Sequence, residues 1–114
     1  AKIDPEHFRQ VILNLLHNAT QSMPAGGRIR IATDFIEDKK FQPEKIFLKI
    51  SDSGVGMPKL VLEKIFTPFF TTKETGTGLG MSTIKKIVEA HRGEIKVNSE
   101  VGKGTEVEIS LPVF

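Results

Sequence analysis

The sequence predicts a single domain of mixed α and β structure, and two observations carry that prediction. Apolar residues recur at helical spacing in two segments, around 8–23 and 81–88. They alternate with polar residues in four others, at 28–33, 46–51, 94–98 and 105–111. A length of 114 residues suits one domain with a real core and is too short for two. Apolar residues make up 39% and charged residues 26%, slightly on the polar side for a soluble globular protein. Net charge is +2 and the lysines are scattered, so nucleic acid is not an expected partner. Cysteine is absent, which excludes a disulfide framework and thiolate metal sites and fits a reducing compartment. No apolar run approaches the ~20 residues of a membrane span. The sequence opens without Met, and a chain excised from something longer is expected, with 1–114 as its one domain.

The first helix starts at Asp4-Pro5, with Asp as N-cap, Pro at the first helical position and Glu6 in the first turn. Phe8, Val11, Ile12, Leu15, Leu16, Ala19 and Met23 form its apolar stripe, and the helix is expected to stop near Met23-Pro24. Gln10, Asn14 and Asn18 make a row along the edge of that stripe. Asn is a poor helix former, so the pair reads either as a solvated edge or as carbonyl oxygens facing one Mg²⁺ ion or phosphate. A strand over 28–33, extending toward Ile36, is followed by a charged loop at 37–44 and a strand at 46–51, a pair suited to an antiparallel hairpin.

Asp52-Ser53-Gly54-Val55-Gly56-Met57 follows that second strand. Strand alternation sets Asp52 on the same face as Ile46, Leu48 and Ile50, at the inner end of a core strand. A carboxylate there needs hydrogen-bond donors. The glycines remove side chains where a flat ligand could lie against the backbone, and an exocyclic amino group such as that of adenine would suit the acid. A turn capped by Asp is the competing reading.

Leu60, Val61, Leu62 and Ile65 suggest one or two helical turns before Phe66-Thr67-Pro68-Phe69-Phe70 breaks the periodicity. Gly76, Gly78 and Gly80 then alternate and run into the second helix, which carries Met81, Ile84, Ile87 and Val88 on one face. A glycine-rich loop that opens a helix offers free N–H groups and the positive end of the dipole to an anion. Lys73 stands before it as a point charge for phosphate. Neither familiar phosphate motif is present. The third glycine of 76–80 comes one residue early for a dinucleotide fingerprint, and Gly102-Lys103-Gly104-Thr105 lacks the first Gly and the Ser/Thr of a P-loop.

The second helix is expected to end at His91-Arg92-Gly93, with Gly93 as C-cap and His91 as a partner of the helix dipole. Two closing strands, 94–98 and 105–111, are joined by a hairpin loop at 100–104. Parity turns Thr105 inward, where its hydroxyl either supports the Asp52 pocket or bonds its own backbone.

In this order, the Asn14…Asn18 helix, Asp52-x-Gly54-x-Gly56, the Phe66–Phe70 loop and Gly76-x-Gly78-Leu79-Gly80 resemble the catalytic and ATP-binding domain of bacterial sensor histidine kinases. That family belongs to the superfamily of gyrase, heat-shock chaperone, histidine kinase and mismatch-repair ATPases. The four stretches look like its N, G1, F and G2 boxes, and the resemblance spans nearly the whole chain. It implies an α/β (α+β) two-layer sandwich of the Bergerat type, with a mixed, mainly antiparallel sheet packed on helices and ATP between helices and lid.

The resemblance also implies roles. Asn18 would hold Mg²⁺, with Asn14 and His17 near the phosphates. Asp52 would accept from the adenine amino group, directly and through a water shared with Thr105. Gly54, Gly56, Met57 and Phe66 would border the nucleotide. Thr72, Lys73, Gly76, Thr77, Gly78, Leu79 and Gly80 would form a short lid of the nitrogen-regulatory type over the triphosphate. Asn14 and Lys73 would be the residues nearest catalysis, with Lys73 replacing the basic residue that many members carry where Gln21 stands. The implied activity is transfer of the ATP γ-phosphoryl group to a histidine on separate dimerisation helices, leaving ADP, with a response regulator as indirect partner. The isolated domain would be monomeric and cytoplasmic, from a homodimeric and in some cases membrane-anchored parent. Alternatives are a Ser/Thr kinase of the anti-sigma type and a non-catalytic ATP-sensing module. Asn14 stands where the gyrase and chaperone ATPases have their general-base Glu, which argues against fast hydrolysis.

Overall fold

A computed structural model of the protein describes residues 4–36, 45–67 and 80–112. Along the chain come α1 (Pro5–Gln21), β1 (Ile29–Ile36), β2 (Lys45–Asp52), α2 (Lys59–Leu62), α3 (Gly80–Ala90), β3 (Glu94–Glu100) and β4 (Gly104–Pro112). The strands form one sheet in the order β1-β2-β4-β3, so β4 inserts between the two strands that precede it in the helix-covered part of the sheet. Every pairing among the described residues is antiparallel, in line with the mainly antiparallel sheet expected. Both expected hairpins form, β1 with β2 and β3 with β4.

Helices α1 and α3 pack on one face of the sheet and on each other. Val11 and Leu15 of α1 meet Ile84 and Val88 of α3, above Leu48, Ile50, Val107, Ile109 and Leu111 of the central strands. Burying each such side chain contributes about 1.5–3 kcal/mol, so this cluster dominates the stability of the domain. The opposite face of the sheet is polar. Lys49 lies 3.3 Å from Glu106 and 3.8 Å from Glu108, in exposed pairs that contribute little. The alternation of β1 continues beyond the helices, and Ile31 and Phe35 are each about half exposed.

The helix ends depart from the expectations in instructive ways. α1 stops at Gln21, two residues before Met23, because Ser22 caps it: its N–H returns to Asn18 O and its Oγ donates to Ala19 O at 2.8 Å. Gly80, expected in a glycine-rich loop, is helical and is the first described residue of α3. At the other end of α3 the left-handed residue is Arg92 (φ 61°), not Gly93. Gly93 N–H reaches Val88 O and Arg92 N–H reaches Glu89 O, the paired bonds of a Schellman turn. Glycine is needed at 93 for a different reason, since a Cβ there would sit 2.4 Å from Ser110 O on β4.

Asp4 caps α1 as expected, its carboxylate accepting from Glu6 N–H at 3.0 Å and His7 N–H at 3.3 Å. The His7 N–H is the largest cause holding the Asp4 carboxyl below its ordinary value of 3.8, and the nearby His7 ring adds to it. A carboxyl lowered by folding stabilises the native state above its unfolded pKa, and that contribution is lost as pH falls through the folded value. Asp4→Ala should therefore lower Tm at neutral pH, with the deficit shrinking below pH 3.8; melting curves of both proteins at neutral and acid pH test this.

Candidate functional site

One end of the sheet gathers Asp52, Thr105 and Ser99 in a single row. Asp52 is the last residue of β2 and the register partner of Thr105 on β4, which in turn is the partner of Ser99 on β3. All three are half-buried on the helix side, in step with Ile50, Val107 and Val97. Asp52 Oδ1 accepts from Gly54 N–H at 2.9 Å, which holds the carboxylate in the turn and leaves Oδ2 outside that bond. The turn-capping reading of the sequence thus holds, with the second oxygen of Asp52 outside the capping bond.

Ser99 was not identified from the sequence, although its parity with Ile95 and Val97 turned it inward. Its hydroxyl receives Met57 N–H at 2.8 Å, donates to Gly104 O at 3.1 Å and lies 2.8 Å from Thr105 Oγ1. One small side chain thereby joins the turn after β2 to the start of β4. Ser22 was missed too. Its carbonyl accepts from Val55 N–H at 3.1 Å, fastening the same turn to the end of α1.

The glycines here answer first to the protein. A Cβ on Gly54 would fall 2.2 Å from Ser22 Oγ, and one on Gly56, whose φ is +72°, would fall 2.0 Å from Glu100 O. A Cβ on Gly104 (φ +116°) would fall as close to the Asp52 carbonyl oxygen. Tight crossing of these three backbone segments is what flattens the site, and so the glycine spacing is legible in the sequence even though its cause is not.

On α1, Asn14 and Asn18 are half-buried on one edge of the helix, while His17 is exposed. A Cβ built on Gly80 would stand 4.0 Å from Asn18 Nδ2, so the first residue of α3 is beside the second asparagine. Phe66 is half-buried, with Lys85 Nζ of α3 5.0 Å from its ring centroid, a cation–π contact that ties the segment after α2 to α3. Thr72, Lys73, Gly76, Thr77, Gly78 and Leu79 lie outside the described residues, as do Pro68, Phe69 and Phe70.

The described residues contain no cluster of three or more His, Cys, Asp or Glu side chains that could cage a metal. What α1 offers instead is neutral amide oxygen. Such a donor suits Mg²⁺, which takes few protein ligands and completes its shell with water and phosphate.

Comparison with known proteins agrees with this geometry. Residues 3–114 match the family described as "Histidine kinase-, DNA gyrase B-, and HSP90-like ATPase". The chain belongs to that family. Within it, the chain is 44% identical to "Sporulation kinase E" of Bacillus subtilis (strain 168) over 96% of its own length and 14% of that protein's. It is 43% identical to "Sensor histidine kinase ZraS" of Salmonella typhimurium, over 97% of itself and 23% of that protein. Among solved structures it superposes on the catalytic domain of histidine kinase ThkA with a TM-score of 0.81 at 34% identity, covering 96% of this chain and 68% of that one. The mycobacterial sensor histidine kinase MprB gives a TM-score of 0.82 at 30% identity, covering 96% and 74%. The domain is therefore of the histidine-kinase ATPase type, with the Bergerat arrangement of helices over an antiparallel sheet. It spans less than a quarter of the length of those two curated relatives.

Proposed function

We propose that this domain binds Mg-ATP, with adenine at the Asp52–Thr105 end of the sheet and the triphosphate between Asn18 and the start of α3, and donates the γ-phosphoryl group to a histidine on separate dimerisation helices. The observation that carries this reading is the meeting of Asn18 and Gly80. It sets the side-chain amide of Asn18, with Nδ2 as its nearest atom, beside the first described turn of α3, and a helix N-terminus favours anions.

Asn18 would hold Mg²⁺, which when bound would neutralise developing phosphate charge, and Asn14 would lie near the phosphates. Asp52 orients the base through the oxygen not taken by Gly54 N–H. Lys73 and residues 76–79 are assigned to the phosphates. Phosphoryl transfer asks a protein mainly for position and charge, and these residues provide both. The acceptor would lie on the dimerisation helices of a homodimeric parent working toward a response regulator in the cytoplasm. The likeness to a full-length ShkA solved in complex with AMPPNP, at 26% identity and a TM-score of 0.72, supports an adenine nucleotide as ligand.

Calorimetric titration of ATP, ADP and GTP with and without Mg²⁺ tests the reading. Expected is adenine-selective binding, strengthened by Mg²⁺ for ATP, and no phosphohistidine formed on the isolated chain. Equal binding of GTP, or none of any nucleotide, would overturn it.

A further inference from the structure

His91 sits at the end of α3 farthest from the nucleotide site. It nevertheless makes a contact that bridges 87 residues of sequence: its Nε2 accepts the backbone N–H of Asp4, the N-cap of α1, at 3.1 Å. Its Nδ1 is 2.8 Å from Ile87 O, one turn back in α3. A carbonyl can only accept and an amide N–H can only donate, so the two contacts together require one form of the ring, neutral with the proton on Nδ1. Arg92 in its left-handed conformation and the Schellman bonds to Val88 and Glu89 hold the end of the helix that carries this ring.

The helices run antiparallel, and their two contacts lie at opposite ends. Asp4 and Asn18 are 14 residues apart, about 21 Å along α1. His91 and Gly80 are 11 residues apart, about 17 Å along α3. Between them the helices meet through apolar side chains such as Val11, Leu15, Ile84 and Val88, which resist separation but set axial position weakly. A directed hydrogen bond at one end fixes that position, and with it the distance between Asn18 and the start of α3 at the other.

We infer that His91 is a positioning residue for the nucleotide site, a clasp that sets the axial register of α1 against α3 and so places the phosphate-binding end of α3 relative to Asn18. The inference rests on the proposed ATP reading. The ionisable groups at this corner are Asp4 and His7 of α1, with Arg92 and Glu94 beside His91 in the chain.

Two substitutions separate the contacts. In His91→Gln the amide oxygen reaches about as far as Nε2 and retains the acceptor for Asp4 N–H at every pH. In His91→Asn the shorter side chain retains the position of Nδ1 and loses Asp4. ATP affinity, measured by calorimetry near neutral pH, should match wild type in His91→Gln and weaken about fivefold in His91→Asn, the scale of one hydrogen bond. Imidazole ¹⁵N spectra without nucleotide should show Nδ1 protonated and Nε2 bare, and Asp4 amide exchange should be slower in wild type than in His91→Asn. Identical ATP affinities for the three proteins, or the other ring tautomer, would overturn the clasp. Should His91→Asn not fold, the ring tautomer of wild type and its Asp4 amide exchange decide alone. Absence of ATP binding in wild type with the tautomer as stated would instead sink the ATP reading and leave the clasp standing.

Discussion

Asp52→Asn is expected to weaken ATP binding on the order of 100-fold, the cost of losing a hydrogen bond to a charged acceptor and leaving a mismatched donor in its place. The geometry says why so conservative a change should matter. Gly54 N–H needs an acceptor, and in the wild type Asp52 Oδ1 serves it at 2.9 Å. An Asn side chain would satisfy that N–H with its oxygen, which turns its NH₂ toward the ligand. Donor then faces donor at the adenine 6-amino group. A purine with a 6-oxo group presents the opposite polarity, so the variant should gain GTP relative to ATP. Because the Gly54 bond survives, Tm should hardly move. Calorimetry with both nucleotides reads the exchange of preference, and an Asn variant that holds ATP within about threefold of wild type would remove Asp52 from the site.

Gly104→Ala should be the most destabilising single change near the site, at about 3 kcal/mol or more. Its φ of +116° is one that a residue with a Cβ rarely adopts, and the new methyl would fall 2.0 Å from the Asp52 carbonyl oxygen. Relief would require β4 to draw away from β2 at the row that holds Thr105. Urea denaturation should report the loss as a lower midpoint. Ligand binding should suffer along with stability, since the same movement displaces Thr105 and Ser99. A Gly104→Ala protein with an unchanged midpoint would show that the strand can shift at no cost.

Much of this was legible in the sequence because it is local. Helical spacing located α1 and α3, alternation located all four strands, and Asp4-Pro5 marked the start of α1. Parity alone put Asp52 and Thr105 on the core side, where the structure pairs them. Strand order was another matter: that β4 lies between β2 and β3 depends on contacts across more than fifty residues, and no periodicity encodes it. The role of Ser99 was hidden for the same reason, because its three partners come from two other segments. Arg92 shows a different limit. With Gly next to it, propensity favours glycine as the left-handed residue, yet the close approach of Gly93 to Ser110 O claims the glycine for packing and leaves Arg to take the strained angle. The chemistry assigned to Lys73 and its neighbours rests on the resemblance.

The Asp52–Thr105–Ser99 row has a consequence for how the chain reaches its native state. The three side chains lie in one row only while β2, β4 and β3 are aligned as they are: a slip of β4 by one residue would turn Val107, Ile109 and Leu111 out of the core along with Thr105, whereas a slip of two would keep them inside and carry Thr105 away from Asp52. A chain misaligned by two could still bury apolar residues, but it would have lost the row proposed for adenine. Nucleotide would then bind correctly aligned molecules alone and draw the population toward them by mass action. On this view ATP is a selector of its own binding domain: its presence during refolding should raise the fraction that reaches the correct sheet, by an amount set by its concentration relative to Kd.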